Sequence, residues 1–552
     1  MDRVSVFARR QRIKNLEQWT LYAILAESFF LALSPMIASA AVMFGVITWF
    51  LRKQIDSRYK MLSLPFDVPV ALFLLIGAAS VMLSSARSFE LIYNYCTMVG
   101  MYGLTYLIVG QTIRTPEQVK QMAQALGASA ILVVLCGFFQ FLFGVDVADV
   151  KWTDPEAFPE LRKRVFSTLE NPNVLAGYLN VFICLTLGLL AKAERRSQKL
   201  ILIGVIVMFV ACLAMTYSRG AFLTLAVVFA VYGALKDWRI LILFVAVTGF
   251  IVHNDATFTN RILSAFTGSD SSVFVRIGIW VSTIAMISDH PFAGIGWGAY
   301  KLVYPQYNYY VADENIIIYH AHNLYLNYAA EIGIVGALAF FWYFFGTMFM
   351  SLALNSNERY IKGTSALLEF VENFFVKSAF GRYIAELGAV VNEKLSEFAE
   401  GVINLFRRRK PRLKLKKPRK RKDDVIHNEE MTFSEHTRKK FAAAEKVTSI
   451  DEIAVGGEKI SVKSVKVDSD AAQKPPLVDW SDVTTVDDKK FLDGLRLGIG
   501  LAFLSMALNG LTDDLLFNIP SSMLMWQLGA LGASIHLQGG STFEKDDFAG
   551  DD

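Results

Sequence analysis

Residues 323–354 read NLYLNYAAEIGIVGALAFFWYFFGTMFMSLAL, and this stretch decides the fold class. It holds one formal charge, Glu331, in a run longer than the roughly 17–25 apolar residues that carry a helix across hydrocarbon. Eleven further apolar runs lie at about 18–34, 36–52, 66–84, 91–110, 121–144, 174–192, 200–218, 220–236, 239–253, 491–512 and 515–536. Lipid offers no partner to an open backbone N–H or C=O, so such runs must be helical. The expected fold is all-α: a polytopic membrane protein with about 12 transmembrane helices.

Composition agrees. The 552 residues are 53% hydrophobic and 19% charged, against about 25% charged in ordinary soluble domains. The charge is also unevenly spread. Residues 355–490 hold 27 Lys/Arg and 22 Asp/Glu, nearly half of all charged residues in a quarter of the chain. The expected organisation is a transmembrane region 1–354, including an outer loop 254–322, then a polar, basic insert 355–490. The last two helices follow at 491–536, and an acidic tail at 537–552. This patterning excludes a secreted globular enzyme, a fibrous protein and a disordered one. Cys96, Cys136, Cys184 and Cys212 each lie in an apolar stretch without CxxC or Cys/His spacing. They are read as small apolar residues, with no disulfide framework and no zinc site.

Basic residues set the orientation. Arg3, Arg9, Arg10, Arg12 and Lys14 precede the first span; Arg52, Lys53, Arg58 and Lys60 follow the second. Both clusters fit the cytoplasm if 18–52 is a tight hairpin turning near Pro35. Lys192, Arg195, Arg196, Lys199 and the insert then fall inside, while 145–173 and 254–322 fall outside. Ala38-Ser39-Ala40 imitates a signal-peptide cleavage site. The apolar run resumes at once, and cleavage would leave Arg52 and Lys53 outside, so an uncleaved hairpin is expected.

Within the insert, Ile384, Leu387, Val391, Leu395, Phe398, Val402 and Leu405 recur in steps of three and four, the signature of one helix face. A polybasic run with 12 basic residues among 407–422 follows. The insert is thus expected to be partly helical and cytoplasmic. Residues 407–422 serve either as a site for anionic inner-leaflet lipids or as a topology-fixing linker. No aromatic platform accompanies them, so nucleic acid is not an expected partner. Residues 423–490 read as polar and flexible. Asp468-Ser469-Asp470 is read there as a chance match to a metal-nucleotide carboxylate pair.

The chemistry collects at span ends facing outward. Arg164 and Asn171-Pro172-Asn173 precede one span. Asn-Pro-Asn is a helix-start signal, and Arg164 and Asn173 are also candidates for contacting substrate. Arg219 lies between two spans, either as a buried guanidinium needing an anion or as a turn residue reaching headgroups. Arg276 stands in SSVFVRIGIW, suited to an in-plane helix facing a polar cavity or to contact with lipid phosphates. His322, in HAHNLYL, is either a proton acceptor at the water boundary or a backbone-bonded helix-start residue. His320 and His322 alone are too few for a metal, and Asp289 or His290 would have to complete the set. The outer loops show no obvious carboxylate cluster. Glu331, nine residues on, falls about 13.5 Å away on the opposite face of a continuous helix and is set aside.

His322-Asn323, nine residues, then Gly333-Ile334-Val335-Gly336 resembles the signature of the bacterial O-antigen ligase and polymerase superfamily. The order adds to the likeness: NPN before a span, Ser218-Arg219-Gly220-Ala221 between spans, an outer-loop arginine, GIGWGAY, then the His motif. The resemblance covers roughly 15–354 and, more weakly, 491–536; the long insert departs from it. It implies a membrane-embedded, GT-C-like glycosyltransferase of the bacterial cytoplasmic membrane with its active site on the extracytoplasmic face. Such enzymes take a glycan from undecaprenyl diphosphate to an acceptor hydroxyl, on lipid A core or another envelope acceptor, without metal or other cofactor. The resemblance carries diphosphate binding to Arg219 and Arg276 and acceptor activation to His322. Asn323, within the motif, joins Arg164 and Asn173 as a further candidate for substrate contact.

Elementary chemistry supports those roles. Breaking a sugar–phosphate bond leaves negative charge on the diphosphate, which fixed guanidinium groups stabilise. A histidine can take the acceptor proton, and attack opposite the leaving group inverts the anomeric centre. Ligase and polymerase share this chemistry and are not separated by sequence. A transporter or flippase of lipid-linked sugars is a different class. Ion-coupled carriers place ionisable groups near the midplane, and only Glu27 lies deep in a span here. A membrane scaffold acting through the insert is a third class.

Overall fold

The computed structural model describes residues 3–56, 59, 61–144, 164–254, 259, 271–308, 317–352, 452–455, 458–461 and 486–540. The chain divides into two units, 1–395 with 480–552, and 396–479. In the second, the described residues form an antiparallel hairpin, β1 (Glu452–Val455) and β2 (Glu458–Ser461), with Glu452 opposite Ser461. That hairpin lies in a stretch expected to be without regular structure. The expected amphipathic helix at 364–406, the basic run and the acidic tail lie outside the described residues.

The first unit is helical. Its helices are α1 (Arg3–Phe30), α2 (Pro35–Ile55), α3 (Asp67–Leu83), α4 (Phe89–Thr112), α5 (Pro116–Phe143), α6 (Pro172–Lys192) and α7 (Arg196–Ala214). There follow α8 (Arg219–Leu235), α9 (Trp238–Asn254), α10 (Ser271–Asp289), α11 (Leu324–Leu352), α12 (Val486–Asn509) and α13 (Ile519–Gly540). Each of the twelve expected spans coincides with one of these helices, and α10 carries Arg276. Among the described residues, six helices are long and apolar enough to cross a membrane: α2, α5, α6, α7, α11 and α12. α3, α8 and α9 are shorter apolar helices.

Local signals explain the boundaries. Pro35 opens α2 after a tight reversal in which the Ser34 N–H donates to Phe30 O (2.7 Å). Thr115 and Gln118 form a reciprocal capping box at α5. The Asn171 side chain accepts the Asn173 N–H at α6 (2.8 Å), so the Asn-Pro-Asn cap exists. α1 begins well before its apolar stretch, since nothing in residues 3–17 breaks a helix; Arg9 Nε donates to Ile55 O at the far end of α2 (3.0 Å).

α6 and α12 are the most enclosed of the six, and they touch backbone to backbone. A Cβ on Gly188 would fall 2.2 Å from Gly498 N, so only glycine permits this approach. The contact fixes α12, whose far end carries the turn 510–518 into the site.

α11 is broken. Gly333 has φ +71° and ψ 171°, and the loop 291–298 docks into the break. Ile295 N–H donates to Ala330 O (2.8 Å), Gly296 N–H to Glu331 O (2.9 Å) and Ile334 N–H to Pro291 O (2.8 Å). The Glu331 side chain accepts backbone bonds from Gly298 and Tyr300. It braces this loop and does not pair with His322. A Cβ on Gly333 would lie 2.1 Å from Phe292 O. Gly333→Ala is therefore expected to cost about 1–3 kcal/mol or more, read as a lower thermal midpoint in detergent; an unchanged midpoint would contradict the docked break.

Candidate active site

The starts of α6, α8, α11 and α13 and the ends of α7 and α12 gather at one end of the bundle. The opposite end carries Lys120, Lys192, Arg195 and Lys490 around a cavity of about 450 Å³ between α5, α6, α7 and α12. The first end holds the polar cluster.

Its centre is Asp513, in the turn between α12 and α13. Asp513 Oδ1 accepts His322 Nδ1–H at 3.1 Å and the Asp514 N–H at 3.0 Å. Asp513 Oδ2 accepts Asn173 Nδ2–H at 3.2 Å and faces Arg276 Nη2 at 3.9 Å. Asn173 in turn accepts from Arg164 Nη2 (2.9 Å), and Arg164 Nε donates to Thr216 O (2.8 Å). One carboxylate thus joins α6, α10, the segment leading into α11 and, through Asn173, Arg164. Burial alone would raise its pKa. The hydrogen bond from His322 and the charges of His322 and Arg276 outweigh that and hold it well below the usual carboxylate range.

His322 adopts φ +49°, uncommon for a side chain with a Cβ. Its neighbours fix it there. Its N–H donates to His320 Nδ1 (3.2 Å), and the Leu324 N–H donates to Gly510 O (2.8 Å). With Nδ1 engaged by Asp513, its Nε2 is the nitrogen left to take a proton. Arg219 opens α8, and the next residue, Gly220, abuts the same turn: a Cβ there would lie 2.9 Å from Thr512 Oγ1. Arg219, Arg276 and His322 are all partly buried.

The other candidates divide. Arg164 and Asn173 hold Asp513 from behind. Asn323 caps α11, its Oδ1 accepting the Tyr325 and Leu326 N–H groups (3.0 Å each) while Nδ2 donates to Leu511 O (3.0 Å). These bonds give Asn323 a structural task.

Asp513 and Asp514 were not singled out by sequence, although they are the only acids between the last two apolar runs. Asp289, one of the two residues a metal set with His320 and His322 would have needed, is engaged elsewhere. Its Oδ2 accepts the Tyr307 hydroxyl (2.8 Å). The group able to surround an ion among the described residues is His320, His322 and Asp513, whose ligand atoms lie within 4.8 Å of one another. Its fit to a metal is poor: both carboxylate oxygens already accept hydrogen bonds, and the Arg276 cation stands 3.9 Å away. Burial, reinforced by His322, pushes the His320 imidazole down to about 3 and keeps it neutral.

Residues 203–341 match the family model for O-antigen ligase. That segment belongs to the O-antigen ligase and polymerase superfamily. It contains Arg219, Arg276 and His322, whereas Arg164, Asn173 and Asp513 lie outside it and reach the ligase segment through the fold. No curated protein matches the chain. That match and the apolar helices together support a membrane-associated, glycosyltransferase-like enzyme.

Asp514 gives a test of the turn's electrostatics. It is buried, and burial together with the adjacent Asp513 charge pushes its carboxyl up from 3.8 to about 7. Between those values the folded chain keeps a proton that the unfolded chain releases. Stability should therefore fall as pH rises from about 4 to about 7 and then level off. Asp514→Asn should flatten that dependence in thermal unfolding; an unaltered profile would contradict the buried, protonated carboxyl.

Proposed function

We propose that the protein is an O-antigen ligase-like glycosyltransferase that moves a glycan from undecaprenyl diphosphate to an acceptor hydroxyl on the outer face of the bacterial cytoplasmic membrane. The observation that carries this reading is the meeting of His322 and Arg276 on the two oxygens of Asp513, with the start of α8 against the same turn. The polar cluster sits at the bundle end opposite the basic helix ends, and the bias of basic residues toward the cytoplasm supports an outward-facing site.

In the proposed reaction Arg219 and Arg276 hold the donor diphosphate. Asp513 orients His322 and stabilises its protonated form. His322 Nε2 receives the proton of the acceptor hydroxyl as the oxygen attacks the anomeric carbon. The new C–O bond forms, the sugar–phosphate bond breaks, and undecaprenyl diphosphate leaves with the electron pair. Attack from the face opposite the diphosphate inverts the anomeric centre. The two guanidinium groups supply the charge that a divalent ion would otherwise provide, so transfer proceeds without metal. A polymerase of the same superfamily would use the same residues with a growing chain as acceptor.

The test uses purified protein in detergent with lipid-linked donor and acceptor glycan. Detergent has no compartments, so a transporter or flippase would yield no product. Arg219→Ala and Arg276→Ala should each lower transfer by about 10²–10³, and His322→Ala by about 10²–10⁴, with normal membrane insertion. Near-normal transfer by all three variants would remove the proposed site. Deleting residues 364–485 should leave transfer intact; its loss would draw the insert into catalysis.

A further inference from the structure

Beside the His322–Asp513 pair stands a column of rings. His320 packs face to face on Phe517, with centroids 4.6 Å apart and planes 29° apart, and its centroid lies 4.2 Å from that of the His322 ring. Tyr319 flanks Phe517 at 6.4 Å. His320 is partly buried, while Tyr319 and Phe517 are each 49% exposed. The column therefore ends in two open aromatic surfaces at one side and in the proton-accepting imidazole at the other. Aromatics at a membrane boundary commonly anchor in headgroups. Anchors have no need to be joined to a reacting group, whereas Phe517 stacks on His320, the ring beside His322.

An aromatic face is electron-rich, and the apolar face of a pyranose presents polarised C–H bonds that pack on it. The two sides of Asp513 indicate which sugar this is. Oδ2 looks toward Arg276, the diphosphate side, and Oδ1 toward His322. The ring column starts at His322 and runs through His320 to Phe517 and Tyr319. The sugar bearing the attacking hydroxyl must touch His322, so the next surface it meets is this column. We propose that Phe517 and Tyr319 form a stacking platform for the acceptor's sugar ring, setting which acceptor is positioned for attack. The proposal rests on the glycosyl-transfer reading above.

The experiment measures transfer by the full-length protein in detergent, with lipid-linked donor and with acceptor glycan extracted from cells lacking the gene. Phe517→Leu should raise the acceptor KM about ten-fold, with kcat and donor KM changed by no more than about two-fold. Phe517→Trp should restore the acceptor KM, since any large aromatic face serves. An unchanged acceptor KM in Phe517→Leu, or a rise confined to the donor KM, overturns the platform. Should Phe517→Leu fail to fold, Tyr319→Leu, at a half-exposed position, is read by the same criteria. Should wild-type protein transfer nothing, the glycosyl-transfer reading fails by itself. The platform is then judged by equilibrium binding: the same glycan should quench Phe517→Trp fluorescence, and absence of quenching overturns it.

Discussion

A nearly enclosed carboxylate at a bundle end cannot stand alone. Removing its charge from water costs several kcal/mol unless cations and donors replace the lost solvent. Asp513 meets that requirement with an imidazole, an amide, a backbone N–H and a guanidinium, drawn from segments far apart in the chain. The same bonds that keep the carboxylate ionised fix the His322 ring and hold Arg276 within reach of it. Positioning and charge are one arrangement here, and the fold's task is to deliver Asp513 to that point.

Glycine contacts make the delivery. Gly188 against Gly498 lets α12 lie directly on α6, which sets where the turn after α12 emerges. The broken α11 accepts the 291–298 loop, and three backbone bonds lock the two together. The GIGWG and GIVG motifs thus have a common physical basis: they are the two halves of one docking. His322 stands just before α11, so the brace behind that helix also steadies the imidazole.

Much of this was legible in sequence. Twelve apolar runs became helices because lipid-compatible composition and backbone satisfaction leave few alternatives. The proline at 35 and the asparagine at 171 ended or began helices as their local chemistry requires. Motif order and the cost of stray charge in an apolar chain pointed to the histidine and the arginines, and His322 and Arg276 do meet at one carboxylate. Asp513 was not. It lies 191 residues from its histidine, across the polar insert, in the short link between the last two apolar runs. No local rule pairs residues at that separation; the available signal was two adjacent acids in the short link between two apolar runs. Asn323 drew attention through its place in the motif, and its bonds show a helix cap that the motif alone did not reveal. Arg164 and Asn173, candidates for touching substrate, are also bonded into the network around Asp513.

In this arrangement Asp513 acts through His322. A kinetic double-mutant cycle of Asp513→Asn and His322→Ala tests it most directly, in the detergent transfer assay with folding checked by thermal unfolding. If the pair is one unit, the double variant loses no more activity than His322→Ala alone. Losses that multiply independently would contradict the account.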